Sequence, residues 1–152
     1  MDKLDELYME LLIEHATSKL NMGSVFFEGF SKVEAFNPLC GDKVVFRVSK
    51  SDSGRATAKY ECSGCAISRA AASMSAQAII DALSVDDAKR ALNEALQYTK
   101  IGGDNPPAAG DWVALGGVAQ YPMRVKCATM SIRAAIAALD LGSGQSMEAE
   151  EE

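Results

Sequence analysis

No run of apolar residues in this 152-residue chain approaches the length that spans a bilayer, which excludes a helical membrane protein. A basic stripe is also missing. With 15 Lys and Arg against 21 Asp and Glu, the net charge is −6 and the pI is about 4.8, which argues against nucleic acid as the main partner. The opening MDKLDELYMELL lacks the basic-then-apolar order of a secretory signal and the arginine bias of a transit peptide. A reducing, cytoplasmic setting is therefore expected, and there four cysteines serve metal binding or catalysis sooner than disulfides. No internal repeat is visible. Histidine is nearly absent: His15 is the single one, mid-helix and far from the thiols in sequence, and it reads as a surface or partly packed residue.

What the chain does have is an ordinary globular composition, 48% hydrophobic and 24% charged, at a length that suits one domain with its own core. The expected domain is 1–141. Residues 142–152, rich in Gly, Ser and Glu, read as an acidic disordered tail outside it. An amphipathic helix is expected over 3–20, with Leu4, Leu7, Tyr8, Leu11, Leu12 and Ala16 on one face. KVVFRV at 43–48 and ATAKYE at 56–61 read as an antiparallel hairpin, and GFSKVEAF before Asn37 adds a third strand. Two helices follow, the first from Ala66 and the second capped by Ser84 with Asp87 and running to about Tyr98. After the Gly/Pro-rich 101–111 segment, DWVALGG predicts a short turn with Asp111 as cap, and a last helix is expected over 127–139. The fold class is α+β, a small three-stranded antiparallel sheet with helices around it.

Three cysteines and one aspartate sit in contexts suited to a metal-bound or reactive thiolate. Cys40 and Asp42 flank Gly41 in NPLCGD, and a tight turn there points both side chains at one ion. Cys65 in GCAIS and Cys127 in RVKCA come where long apolar-periodic stretches begin, so each is expected at a helix N-terminus, where a thiolate is favoured. Cys40, Asp42, Cys65 and Cys127 together make a four-ligand set of the kind that binds Zn²⁺. Three thiolates and a carboxylate exceed the charge of the ion, which gives a nearby guanidinium, Arg124, a supporting role. Cys62 forms a C-x-x-C with Cys65; it reads as a bystander, with alternative ligand or sulfur relay as the competing readings.

LYMELLIEH, NPLCGD, GCAISRAAASM and GGVAQYPMRVKCATM, in this order, resemble the IscU-like family of iron–sulfur cluster assembly proteins, and specifically its SufU-type branch. Scaffold-type relatives generally carry histidine before the final cysteine, where this chain has Lys126, and the stretch Ile101–Tyr121 matches an insertion of the SufU type. The resemblance implies zinc on Cys40, Asp42, Cys65 and Cys127, and puts the arginine of the family's PxRxKC motif at Arg124. It implies a zinc-dependent sulfurtransferase that accepts persulfide sulfur on a thiol from a pyridoxal-phosphate-dependent cysteine desulfurase of the SufS type; Cys40, on a glycine-containing loop while Cys65 and Cys127 are expected at helix ends, is the expected acceptor. A downstream iron–sulfur assembly scaffold would receive that sulfur. The alternative it allows is a scaffold that itself holds a transient [2Fe–2S] cluster on the same residues.

Overall fold

The structure, a computed structural model, describes residues 3–24 and 29–150, with side chains for 6–24 and 29–149. The expected apolar position Leu4 and the last residues of the expected tail, 151–152, lie outside the described side chains. Helix α1 (Lys3–Thr17) opens the chain, and strands β1 (Ser31–Phe36), β2 (Lys43–Lys50) and β3 (Ala56–Ser63) follow. Then come helices α2 (Ala66–Asp81) and α3 (Val85–Ile101), a 3-10 helix over Trp112–Gln120, helix α4 (Pro122–Asp140) and strand β4 (Ser146–Glu150). Among the described residues, no helix is long and apolar enough to cross a membrane.

Alternation along the strands decides which face of the sheet is covered. Val33 and Ala35 of β1, Val44, Phe46 and Val48 of β2, and Ala58 and Tyr60 of β3 are all buried. This period of two turns one face toward the helices. Phe46 and Tyr60 are cross-strand partners with ring centroids 5.9 Å apart, within the range where aromatic pairs stabilise a sheet. Helices α2 and α4 pack on this face and on each other, and both are rich in buried alanine: Ala70, Ala71, Ala72 and Ala76 in α2, and Ala128, Ala134, Ala135 and Ala138 in α4. Small side chains let the helix axes approach closely, which brings the start of α2 and the early turns of α4 to one end of the sheet.

The sheet corrects the sequence expectation. It has four strands in the order β3-β2-β1-β4, antiparallel except for β4, which runs parallel to β1. The fourth strand comes from the segment that reads as a disordered tail. Its backbone, not its composition, holds it: Lys32 N–H donates to Gln145 O at 3.0 Å, and the turn before it is tied to Gly29 by Ser143 Oγ at 2.6 Å and Gly144 N at 3.1 Å. Acidic residues on an outer strand are one way proteins keep a sheet edge from pairing further, so low hydrophobicity there is compatible with a strand.

The other boundaries move less. Ser84 caps α3 as expected, its hydroxyl accepting from Asp87 N–H at 3.1 Å, and the helix runs on to Ile101. The expected short turn after Asp111 is a nine-residue 3-10 helix whose first residue, Trp112, is buried. Asp111 is not a side-chain cap there; its carboxylate accepts from His15 Nε2 at 2.8 Å instead. Helix α4 begins at Pro122, five residues before the expected start, because proline's fixed φ and missing N–H suit the first helical position. Cys127 therefore lies in the second turn, away from the helix N-terminus.

Because β4 contributes backbone pairing to an otherwise open edge, a chain ending at Leu141 is expected to lose about 1–3 kcal/mol of stability, from a few net hydrogen bonds. A lower urea midpoint with the same slope is the expected result. An unchanged midpoint would show that the strand adds nothing.

Candidate metal centre

The site begins with a loop whose shape is set by Asn37. This residue follows β1 and is fully buried; its Oδ1 accepts from Leu39 N–H at 3.0 Å, and its carbonyl accepts from Gly41 N–H at 2.8 Å. Asn37 N–H in turn donates to Asp42 O at 2.9 Å, closing the loop between β1 and β2. Gly41 sits at φ +75°, a conformation that costs side-chain-bearing residues energy and glycine none. The tight turn expected of Cys-Gly-Asp is present. It leaves Cys40 exposed at the tip and turns Asp42 inward to 5% exposure.

The second element is the junction from β3 to α2. Cys65 is the N-cap of α2, as expected, and its Sγ accepts from Ser68 N–H at 3.5 Å. The Cys65 N–H donates to Asp42 Oδ2 at 3.3 Å, and the Ser68 hydroxyl donates to the same oxygen at 3.0 Å. Burial works to raise the Asp42 pKa, but hydrogen bonds from the Cys65 thiol and N–H, Ser68 and the Cys40 thiol outweigh it and hold the carboxyl below its ordinary value. The carboxylate can lie here because the residue beside it is Gly64. A β-carbon at Gly64 would stand 2.5 Å from Asp42 Cγ and 2.7 Å from Ser68 Oγ.

Helix α4 supplies the third element. Cys127 is 2% exposed, its thiol donates to Met123 O at 3.5 Å, and its sulfur lies 3.9 Å from Cys40 Sγ. Burial first, then the neighbouring Cys65 charge, pushes the Cys127 thiol far above its ordinary range. A bias toward thiolate from a helix N-terminus, expected from sequence, is thus absent at Cys127 and has its geometric basis only at Cys65. One turn earlier, Arg124 reaches the same sulfurs: the charge of Cys65 and then a hydrogen bond to Cys127 hold its pKa above the ordinary value.

One ligand atom from each of Cys40, Asp42 and Cys127 lies within 4.8 Å of the others. Zn–S bonds of about 2.3 Å in a tetrahedron place two sulfurs roughly 3.8 Å apart, close to the 3.9 Å between Cys40 and Cys127. The donors fit zinc in type and spacing. Cys65 borders this group, bonded through its N–H to Asp42, but its sulfur is outside the mutual 4.8 Å cluster. Cys62, at the end of β3, is likewise outside, and burial pushes its thiol up to about 11. His15 is elsewhere, its ring held between Ser73 Oγ at 2.9 Å and Asp111. Sequence reasoning missed Gly64 and Asn37; the small residue before Cys65 and the Asn-Pro opening of the loop were the signals available.

A small α+β domain with thiols and one carboxylate gathered at the end of its sheet belongs to the class of proteins that handle soft metals or sulfur. Residues 7–128 match the NifU-like N-terminal domain, and the chain belongs to that family, in the company of SufU and IscU homologues. The zinc-dependent sulfurtransferase SufU of Bacillus subtilis (strain 168) is 34% identical over 136 residues, covering 86% of this chain and 88% of that protein. The iron–sulfur cluster assembly scaffold protein IscU of Streptococcus pyogenes serotype M1 is 31% identical over 133 residues, covering 86% and 81%. A crystal structure of a candidate scaffold for the SUF system from Fervidobacterium islandicum AW-1 superposes with a TM-score of 0.73 at 24% identity, over 86% of this chain and 94% of that one. At that identity the likeness speaks for the fold alone.

If the Asp42 carboxylate depends on the space left by Gly64, then Gly64→Ala is expected to destabilise the protein by about 1–3 kcal/mol, the usual cost of overpacking. Urea unfolding of the variant checks this. An unchanged midpoint would contradict the close approach.

Proposed function

We propose that the protein is a zinc-dependent sulfurtransferase that accepts persulfide sulfur from a cysteine desulfurase and passes it toward iron–sulfur cluster assembly. The observation that carries this reading is the asymmetry of the cluster. Cys40 is exposed on a glycine-containing loop, while Asp42 and Cys127 are buried and Cys65 is fixed at a helix cap. Cys40 is therefore the acceptor, the thiol that a partner reaches with least disturbance to the backbone. Its thiolate attacks the terminal sulfur of the donor persulfide; the donor S–S bond breaks, the donor cysteine leaves as thiolate, and the new S–S bond is on Cys40.

Zinc would be held by Cys40, Asp42, Cys65 and Cys127, and when bound it keeps thiols deprotonated at neutral pH. This matters most at Cys127, which burial otherwise keeps protonated. Arg124 balances the excess negative charge of three thiolates and a carboxylate, and stands ready to hold a displaced one. The named activity of the Bacillus subtilis relative supports this reading, as do Lys126 in place of histidine before Cys127 and the long segment Ile101–Tyr121, which here builds the 3-10 helix. Free thiols of this kind suit a reducing cytoplasm, with a SufS-type desulfurase as donor and an assembly scaffold as recipient. The second reading, a scaffold holding a nascent [2Fe–2S] cluster, draws on the Streptococcus pyogenes relative and uses the same residues.

Cys40→Ser is expected to abolish stimulation of a cysteine desulfurase, measured as alanine release, while Cys62→Ser keeps most of it. Metal content and circular dichroism on the same samples separate loss of the acceptor from loss of the site. Normal stimulation by a folded Cys40 variant would refute the assignment. Acid-labile sulfide and iron on anaerobically purified protein would favour the scaffold.

A further inference from the structure

Each oxygen of an ionised carboxyl has room for about two partners, a hydrogen-bond donor or a metal ion at either place. At Asp42 both places on Oδ2 are filled: the Cys65 N–H donates to it at 3.3 Å and the Ser68 hydroxyl at 3.0 Å. Asp42 is therefore left with Oδ1 to offer to the cluster it forms with Cys40 and Cys127.

The two donors on Oδ2 are held differently. The Cys65 N–H belongs to the cap of α2, and turning it away would unwind the start of that helix. Ser68 donates from a side chain, and its one proton has a second acceptor in reach, the Cys65 carbonyl, also at 3.0 Å. A charged acceptor makes the stronger hydrogen bond, so the proton goes to Asp42. Cys62 strengthens that bond, since its thiol donates to Ser68 Oγ at 3.8 Å and polarises the hydroxyl that Asp42 receives. Ser68 is fully buried, and its carbonyl accepts from Ser131 Oγ of α4 at 2.8 Å. The hydroxyl is thus fixed in place, away from solvent.

We propose that Ser68 is a positioning residue for the metal: its hydroxyl occupies Asp42 Oδ2, so that Asp42 binds through Oδ1 alone and the ion keeps four ligands. The inference rests on the zinc site of the proposed function and adds to it a residue that touches the carboxylate and not the ion. Without the Ser68 hydroxyl, one place on Oδ2 opens and the carboxylate grips the ion with both oxygens. Zinc accepts a fifth contact, so the serine decides between the two arrangements.

Cobalt(II) substituted for zinc reports the number of contacts, because a four-coordinate cobalt ion absorbs visible light more strongly than a five-coordinate one. The full chain is stripped of metal with a chelator, loaded with one equivalent of cobalt(II) without air, and its absorption recorded. The parent is expected to show the strong visible bands of four contacts. In Ser68→Ala those bands are expected to fall to about half or less, while the thiolate-to-cobalt band in the near ultraviolet keeps its height. Ser131→Ala removes the hydroxyl bonded to the Ser68 carbonyl and takes nothing from the carboxylate, so it is expected to keep the parent spectrum. In an Asp42→Ala background, Ser68→Ala is expected to change nothing further. An unchanged spectrum in Ser68→Ala, the same loss in Ser131→Ala, or a further change in the Asp42→Ala background would each overturn the role of Ser68 and leave the metal site standing. A five-coordinate parent overturns it with no variant needed. A parent without the thiolate-to-cobalt band overturns the metal site itself, and this inference with it.

Discussion

A buried carboxylate holds the functional end of this molecule together. Asp42 lies on the loop between β1 and β2, yet its Oδ2 is bonded to the Cys65 N–H and the Ser68 hydroxyl at the start of α2. An ionised carboxyl out of water is costly unless its hydrogen bonds are supplied, so the loop and the helix cap are mutually dependent. Ser68 extends the chain of bonds, since its carbonyl accepts from Ser131 Oγ of α4 at 2.8 Å. The segments bearing Cys40, Cys65 and Cys127 are thus fixed to one another through one carboxylate, one serine and a helix–helix contact.

The rest of the fold keeps those segments in register. Packing of α2 on α4 sets the height of Cys127 relative to Cys65, and antiparallel pairing of β1 with β2 sets the length of the loop that carries Cys40. At the far side of α2, His15 joins Ser73 to Asp111 and so ties α1 and the start of the 3-10 helix to the same helix. Helix α2 is common to the contact with α4 and to the one that His15 makes. Rigidity at Asp42, Cys65 and Cys127 and exposure at Cys40 follow from this division between packed elements and a glycine turn, and the proposed transfer chemistry needs both.

Much of this was legible in the sequence wherever a local rule governs local structure. The Cys-Gly-Asp turn, the Ser84 cap, the β2–β3 hairpin and Cys65 at the head of α2 follow from glycine conformation, capping chemistry and periodicity over a few residues. What was not legible depends on partners distant in sequence. Strand β4 is acidic and poor in apolar residues, and only the free edge of β1 makes it a strand. Asp111 satisfies the rule for a cap but meets His15, 96 positions away. Helix α4 starts at Pro122 ahead of any apolar periodicity, which moves Cys127 from a helix terminus into a buried turn. Gly64 looks like an ordinary linker residue until the Asp42 carboxylate is placed against it.

On the proposed function, Cys40, Asp42, Cys65 and Cys127 hold one zinc ion. Metal analysis with zinc-edge X-ray absorption on the purified chain tests it most directly. The expected result is one zinc per chain with three sulfurs at about 2.3 Å and one oxygen at about 2.0–2.2 Å. Four sulfurs, which would bring Cys62 into the shell in place of Asp42, or a chain that binds no zinc, would contradict it.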